Sequence, residues 1–171
     1  MTKNITITNF EALNITSWNA QLSEEKRNAL PMKVRFYLKK FLGKILPDVK
    51  QFEEFRDSEL KVLQDEYFGE EKSYEKEQPK KDEQGNEITD DDGVIETETV
   101  RVVKDEYIAE YQDKINTLNE KLMEILNEKN TYEVSIFDVA DFVEKLPEDT
   151  PIEFDDINII DAIFSAENEE G

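Results

Sequence analysis

In the stretch Lys33-Val34-Arg35-Phe36-Tyr37-Leu38-Lys39-Lys40-Phe41-Leu42-Gly43-Lys44-Ile45, six apolar residues recur at positions i, i+3, i+4, i+7, i+8 and i+11. This spacing places all six on one face of an α-helix. A second apolar stripe continues to about Phe68, after Pro47, which should kink or break the helix. The stretch therefore predicts a long amphipathic helix with one buried face.

Basic side chains lie on both flanks of that apolar face, and one phenylalanine projects away from it. A solvated helix face that the acidic remainder of the chain partly neutralises is one interpretation. The other is a docking surface for an acidic partner, which could be a second copy of this chain. We predict that this surface binds a partner protein. Its residues are Lys33, Arg35, Phe36, Lys39, Lys40 and Lys44.

Composition excludes much common chemistry. The chain has 171 residues, with 42 Asp and Glu against 21 Lys and Arg, a net charge of −21, and neither Cys nor His. It therefore has no thiolate nucleophile and no imidazole for a hydrolytic triad or a zinc site. The five glycines are scattered and form no phosphate loop, and residues 82–87 lack the ligand order of a calcium loop. We expect no enzymatic activity, no cofactor and no metal.

Charge is unevenly distributed along the chain. Residues 26–50 carry eight bases and one acid, whereas residues 131–171 carry thirteen acids and one base. The net acidity disfavours direct nucleic-acid binding, which requires a dominant basic face. An acidic mimic of nucleic acid that blocks a DNA- or RNA-binding protein is the alternative function, and a carboxylate-dependent enzyme is the third. The chain has neither a membrane-length apolar run nor a signal-peptide pattern, so we expect a cytoplasmic protein without membrane association.

The pattern of elements predicts a mostly helical α+β fold in one domain, residues 1–171. A coiled-coil seam at Ile108–Ile125 predicts a helix that packs antiparallel against the first one as a long hairpin. We expect a helical arm from residues 31–69 and 104–130, with residues 70–103 as a mobile segment or a β-hairpin at its tip. A small α/β base is expected from residues 1–30 and 131–171.

The base is predicted from local signals near both ends of the chain. Residues 4–10 and 132–136 alternate as strands and should pair. Asp138 should cap one short helix, and Thr150 followed by Pro151 should begin another. A short helix is also expected near residues 23–30, and an acidic frayed tail at residues 166–171.

The layout resembles a family of small proteins from tailed phages and prophages of Gram-positive, AT-rich bacteria. The resemblance covers residues 3–128. It rests on the early Ile-Thr-Ile strand, the basic helix Lys33–Leu42, the long acidic helix that follows, and the insert Asp82-Glu83-Gln84-Gly85-Asn86-Glu87 before a second helix. It implies a phage role, either in virion structure and assembly or in opposing host defence. The partners would then be phage structural proteins or a host protein, with a homo-oligomer as a further alternative.

Overall fold

Helices dominate the structure, a computed structural model that describes residues 1–166. The predicted mostly helical α+β class is confirmed. All but the first residue of the expected acidic tail lie outside the described residues. In chain order the elements are β1 (Thr2–Thr8), α1 (Asn9–Gln21), α2 (Glu24–Ala29), α3 (Met32–Tyr67), β2 (Ser73–Pro79), β3 (Thr97–Val103), α4 (Asp105–Asn127), β4 (Lys129–Ser135), α5 (Val139–Glu144) and α6 (Phe154–Phe164).

The chain forms two compact units, with boundaries inside α3 and α4. Unit 1 comprises Met1–Glu54 and Met123–Gly171, and unit 2 comprises Phe55–Leu122. In unit 1, β1 and β4 form an antiparallel two-stranded sheet. The predicted pairing of the two end segments is therefore confirmed.

The first half of α3 supplies the centre of the unit 1 core. Of its six predicted core residues, five are buried and Tyr37 is half-buried. Phe41 packs edge-on against the rings of Tyr132 and Phe164, with centroids 6.2 Å apart in both cases. Aromatic pairs prefer this geometry because the positive edge of one ring meets the negative face of the other. The 3.6-residue periodicity thus identified the buried face correctly.

Pro47 lies inside α3 without breaking it, because the helix runs unbroken from Met32 to Tyr67. Proline has no backbone N–H, so it cannot donate the helical hydrogen bond to the carbonyl of Gly43, four residues earlier. The helix persists because apolar side chains on both sides of the proline, Ile45 and Val49, are buried in the same core. Tertiary packing here outweighs a strong local helix breaker.

The start of α1 was not predicted from the sequence, and the start of α6 lies at a different residue from the predicted one. Helix α1 begins after Thr8, whose Oγ1 accepts a hydrogen bond from the Glu11 backbone N–H at 3.1 Å, while Glu11 accepts from the Thr8 N–H at 2.7 Å. The predicted start of α6 at Thr150 is wrong, since that helix begins at Phe154. Asp156 accepts from the Glu153 N–H at 3.0 Å and so fixes the later start.

Other local predictions for unit 1 are confirmed. The short helix expected near residues 23–30 is α2, and the Ser23 side chain caps its first turn by accepting from Lys26 N–H. The Asp138 side chain caps α5 by accepting from the Asp141 N–H at 3.0 Å. Both caps satisfy donors that a helix start leaves without an intrahelical partner.

Unit 2 contains the second half of α3, the β2–β3 hairpin and the first part of α4. The Tyr67 and Tyr111 rings are 5.1 Å apart, and Glu66 forms an ion pair with Lys114 at 2.9 Å. Since Tyr67 ends α3 and Tyr111 lies near the start of α4, these segments pack antiparallel. Tyr67 is fully buried. The predicted antiparallel helix contact is therefore present within this unit.

Residues 70–103 form the expected hairpin, with Ser73 opposite Val103 and Pro79 opposite Thr97. Residues 80–96 extend it through two tight turns that resemble each other. Oδ1 of Asp82 and of Asp90 each accepts two backbone N–H bonds within its turn. Gly85 and Gly93 adopt positive φ angles of 87° and 79°, a conformation that L side chains rarely adopt. Asp82 and Asp90 thus stabilise the two turns.

Candidate protein-binding groove

An open groove of about 640 Å³ lies in unit 1 between α3 on one side and α1 and α2 on the other. Leucines form its apolar lining, and four of the five are at most 8% exposed, so they also belong to the folded interior. The fifth, Leu46, is 45% exposed. The leucines are Leu22, Leu30, Leu38, Leu42 and Leu46.

Among the residues that the structure describes, three cations and no acid line this groove. Arg27 comes from α2, and Arg35 and Lys39 come from successive turns of α3. In a chain with two acids for every base, an acid-free lining is a clear local reversal of charge. The groove therefore combines an apolar floor with a positive rim.

Arg27 is held in place by the end of α1. Its Nε donates to the carbonyl of Leu22 at 3.1 Å, and another guanidinium nitrogen donates to the carbonyl of Asn19. Cations are favourable at a helix C-terminus, where carbonyl groups lack intrahelical donors. These bonds use neutral acceptors, so the positive charge at the rim is not neutralised.

A hydrogen-bonded cluster around Asp156, here called the polar node, fixes α1 and α2 against α6. It therefore sets the position of one groove wall. Asp156 is 4% exposed and accepts from Trp18 Nε1 at 2.8 Å, from Lys26 Nζ at 2.9 Å and from the Glu153 N–H at 3.0 Å. Burial raises the pKa of the Asp156 carboxyl, but the hydrogen bonds from Lys26, Glu153 and Trp18 outweigh it and leave that pKa below its ordinary value. The pKa of Lys26 is raised by its bonds to Glu153 and Asp156.

Gly43 interrupts the α3 wall of the groove. Arg35, Lys39 and Gly43 follow one another at four-residue steps along the same helix edge. A Cβ atom added at Gly43 would meet nothing within 4 Å. Because Pro47 cannot donate to it, the Gly43 carbonyl also lacks its ordinary intrahelical donor. At this point the backbone of α3 is open to an approaching molecule.

The basic residues of the predicted surface form no ion pair in the part of the chain that the structure describes. Within residues 1–166, no carboxylate lies within 4 Å of the charged groups of these five side chains. Elsewhere, bases such as Lys26, Lys72 and Lys114 each contact at least one carboxylate. The five cations are Lys33, Arg35, Lys39, Lys40 and Lys44.

The structure does not bring the six predicted residues into one site. Arg35 and Lys39 line the groove, whereas Lys33 lines a separate cleft that Asp138 and Asp161 also line. Lys44 is half-buried, and its Nζ donates to the carbonyl of Glu133 in β4 at 2.5 Å. Lys44 therefore also serves the fold.

The other two predicted residues, Phe36 and Lys40, are exposed on α3, and Phe36 is 62% exposed. The ring of Phe36 contacts that of its neighbour Tyr37, with centroids 5.9 Å apart. The expectation that Phe36 points away from the core is confirmed. Its role as a contact residue stays a prediction.

Sequence reasoning did not assign the leucine floor, Arg27 or Gly43 to the site. Leu38, Leu42 and Leu46 recur every four residues beside the row that contains Arg35 and Lys39, and this spacing was a usable signal for one wall. The opposite wall depends on how α1 and α2 lie beside α3, for which the sequence contains no comparable repeat.

Comparison with protein-family models, curated proteins and solved structures gives no match to this chain. None of the helices described in residues 1–166 is both long and apolar enough to cross a membrane. In the same residues, no group of three or more acidic side chains is arranged to hold a metal ion.

Proposed function

We propose that this protein is a non-catalytic binding protein that holds another protein through the basic residues of α3. The observation that carries the proposal is a group of three exposed α3 cations, Arg35, Lys39 and Lys40, that contact no carboxylate within residues 1–166, in a chain with 42 acids. Ion pairing within the chain would be easily available with such an excess of acids. Cations left without an acidic neighbour remain available to a partner and favour its encounter and orientation.

The resemblance to tailed-phage proteins supports a phage role, in virion assembly or in opposing host defence, and we propose virion structure and assembly, in the cytoplasm of the host cell or associated with the virion. The contacts with the partner would come from Arg35, Lys39 and Lys40, together with exposed Phe36. Aromatic and arginine side chains commonly contribute much of the free energy of binding at protein interfaces.

The test compares two double charge reversals by affinity capture from a nuclease-treated lysate of the source cells. Lys39→Glu with Lys40→Glu alters the proposed surface, and Lys76→Glu with Lys81→Glu is the control. All four lysines are exposed and the two variants have the same net charge. We expect the α3 variant to lose at least about tenfold of the captured partner, equal to about 1.4 kcal/mol, and the control to retain it. Equal losses in both variants would contradict the proposal.

The second candidate, an acidic nucleic-acid mimic, is supported by the surface of α5, α6 and the loop between them. Of the ten acids in residues 131–166, all but Asp156 are exposed. In the same experiment, a mimic predicts capture of a nucleic-acid-binding protein that is lost at raised salt, because screening weakens interactions between exposed charges. It also predicts equal or stronger capture by both lysine reversals, since each adds negative charge.

A further inference from the structure

We infer that the leucine-floored groove binds an acidic amphipathic helix of another protein, and that Gly43 lets this helix approach the backbone of α3 closely. The inference rests on the proposed function and specifies the chemistry of the partner. It combines the acid-free cationic rim, the exposed Leu46 and the absence of a side chain at Gly43.

The groove favours a helix over an extended peptide. Most of its lining residues belong to α1, α2 and α3, whose backbone groups are engaged in helical hydrogen bonds. An extended peptide needs backbone partners, such as an open sheet edge, whereas a helix satisfies its own backbone groups. From Arg35 to Leu46 the wall runs for about 16 Å, given a rise of about 1.5 Å per residue. This length matches about three turns of a partner helix.

The row along α3 has the form that helix packing requires. Arg35, Lys39 and Gly43 make a ridge at four-residue spacing, and Leu38 and Leu42 make the neighbouring ridge. Helices pack by fitting the ridge of one into the groove between two ridges of the other. The missing side chain at Gly43 is a notch in the first ridge, into which a large apolar side chain of the partner can fit.

The rim selects acidic side chains on the flanks of the partner helix. Arg27, Arg35 and Lys39 line the groove together with the leucines, and no carboxylate from residues 1–166 lines it to compete for them. The net charge of −21 belongs to the whole chain, but charges farther away than about 8 Å are largely screened at physiological salt. The local rim therefore outweighs the distant acids.

A helix from a second copy of this chain fits the groove poorly. The apolar faces of α4 and α6 are already used inside the fold, where Leu118, Leu122, Ile160 and Phe164 are buried. The last five residues, Glu-Asn-Glu-Glu-Gly, carry acids but no apolar side chain. Helices α4 and α6 of a second copy therefore do not supply the available apolar stripe, and we place the acidic amphipathic helix in another protein.

The experiment measures binding of synthetic fluorescent peptides to the full chain by anisotropy. The probe is an 18-residue helix, about 27 Å long and so longer than the wall of about 16 Å, with leucine on one face and glutamate elsewhere. One comparison peptide has lysine in place of glutamate, and another keeps glutamate but has serine in place of leucine. We expect the acidic leucine peptide to bind at least about tenfold more tightly than either comparison.

Gly43→Gln tests the groove, because a Cβ atom added at this exposed position meets nothing within 4 Å in the free protein. Ser58→Gln, at an exposed position of the same helix in unit 2, is the matched control. We expect Gly43→Gln to weaken binding of the acidic peptide at least about tenfold and Ser58→Gln to leave it unchanged. Arg35→Glu provides an independent variant at the rim and should also weaken binding.

Three outcomes of the peptide experiment would overturn the inference: no binding of the acidic leucine peptide to the wild type, equal binding of the serine peptide, or unchanged binding by Gly43→Gln. A wild-type dimer in sedimentation that dissociates in Gly43→Gln would replace the foreign helix by a second copy and would overturn it as well. If the lysine reversals at positions 39 and 40 abolish capture of the natural partner but Gly43→Gln does not, the proposed function stands and the groove is not the binding site.

Discussion

Replacing Asp156 by asparagine should destabilise unit 1 strongly, because this one buried carboxylate joins three helices. The carboxylate accepts a charged hydrogen bond from Lys26 and a neutral one from Trp18 Nε1. A hydrogen bond to a charged group contributes about 1.5–3 kcal/mol. Asparagine keeps the shape, but its amide N–H₂ must face one of these two donors. Since the Lys26 side chain is 21% exposed and can regain some hydration, we expect a loss of about 3 kcal/mol in the free energy of unfolding.

Urea unfolding followed by tryptophan fluorescence measures this loss directly, since Trp18 is the only tryptophan and contacts Asp156 itself. With a slope of about 2 kcal/mol per molar urea, the midpoint should fall by about 1.5 M. Asp155→Asn is the matched control, because Asp155 is exposed in the first turn of the same helix and its charge contributes at most about 1 kcal/mol there. A loss for Asp156→Asn no larger than that of the control would refute the assigned role of the node.

The difference in stability between the wild type and Asp156→Asn should depend on pH. The pKa of Asp156 is lowered in the folded state, so its contribution to stability is fully present above about pH 5 and is lost as pH falls through the folded-state pKa. The stability difference between the wild type and Asp156→Asn should therefore be largest near neutral pH and should shrink below about pH 4. A difference that grows on acidification would contradict the direction of the pKa shift.

Three further substitutions on α3 test which of its residues contribute to stability. Gly43→Ala should raise the free energy of unfolding by about 1 kcal/mol, since alanine favours a helix interior and its Cβ has open space. Chemical denaturation measures this change, and a loss of stability would show that the site is not open. Lys44→Glu should lower the free energy of unfolding by about 1–2 kcal/mol, because it removes the hydrogen bond to the Glu133 carbonyl. The control Lys40→Glu alters an exposed side chain and should change that free energy by less than about 0.5 kcal/mol. Equal effects would show that the Lys44 hydrogen bond contributes nothing to stability.

The buried face of α3 could be predicted from the sequence because a single periodic stripe meets a single core. The same is true of the two end strands, whose alternation left each with one natural partner. Helix α1 could not be recognised in this way. Its side chains Leu13, Ile15 and Trp18 are each only half-buried, and Ala12 is the one buried residue of the helix. Its start was marked instead by Thr8 and Glu11, a local signal that periodicity does not contain.

The start of α6 shows a different reason for error. Thr150 and Pro151 form a good local start signal, but the helix begins at Phe154. Asp156 serves at once as partner of Lys26 and Trp18 and as acceptor for the Glu153 N–H. A residue held by two distant side chains fixes the backbone around it, and such tertiary contacts cannot be read from neighbouring sequence. The groove could not be predicted for the same reason, because the position of its wall from α1 and α2 depends on the polar node around Asp156.

The charge pattern of α3 is hard to explain by stability alone. Exposed cations beside acids would gain up to about 1 kcal/mol per pair, and unit 2 uses such pairs when Lys72 and Lys114 both contact Glu66. Solubility does not require further cations either, since they reduce the net charge of the chain. Gly43 is a second feature that lowers stability, because glycine is among the poorest residues for a helix interior. Along one edge of α3, where an apolar groove opens, lie Arg35 and Lys39, which form no ion pair within residues 1–166, and Gly43. Their coincidence is what a binding site for an acidic helix requires, because the cations must stay unpaired and the backbone must stay uncovered until the partner arrives.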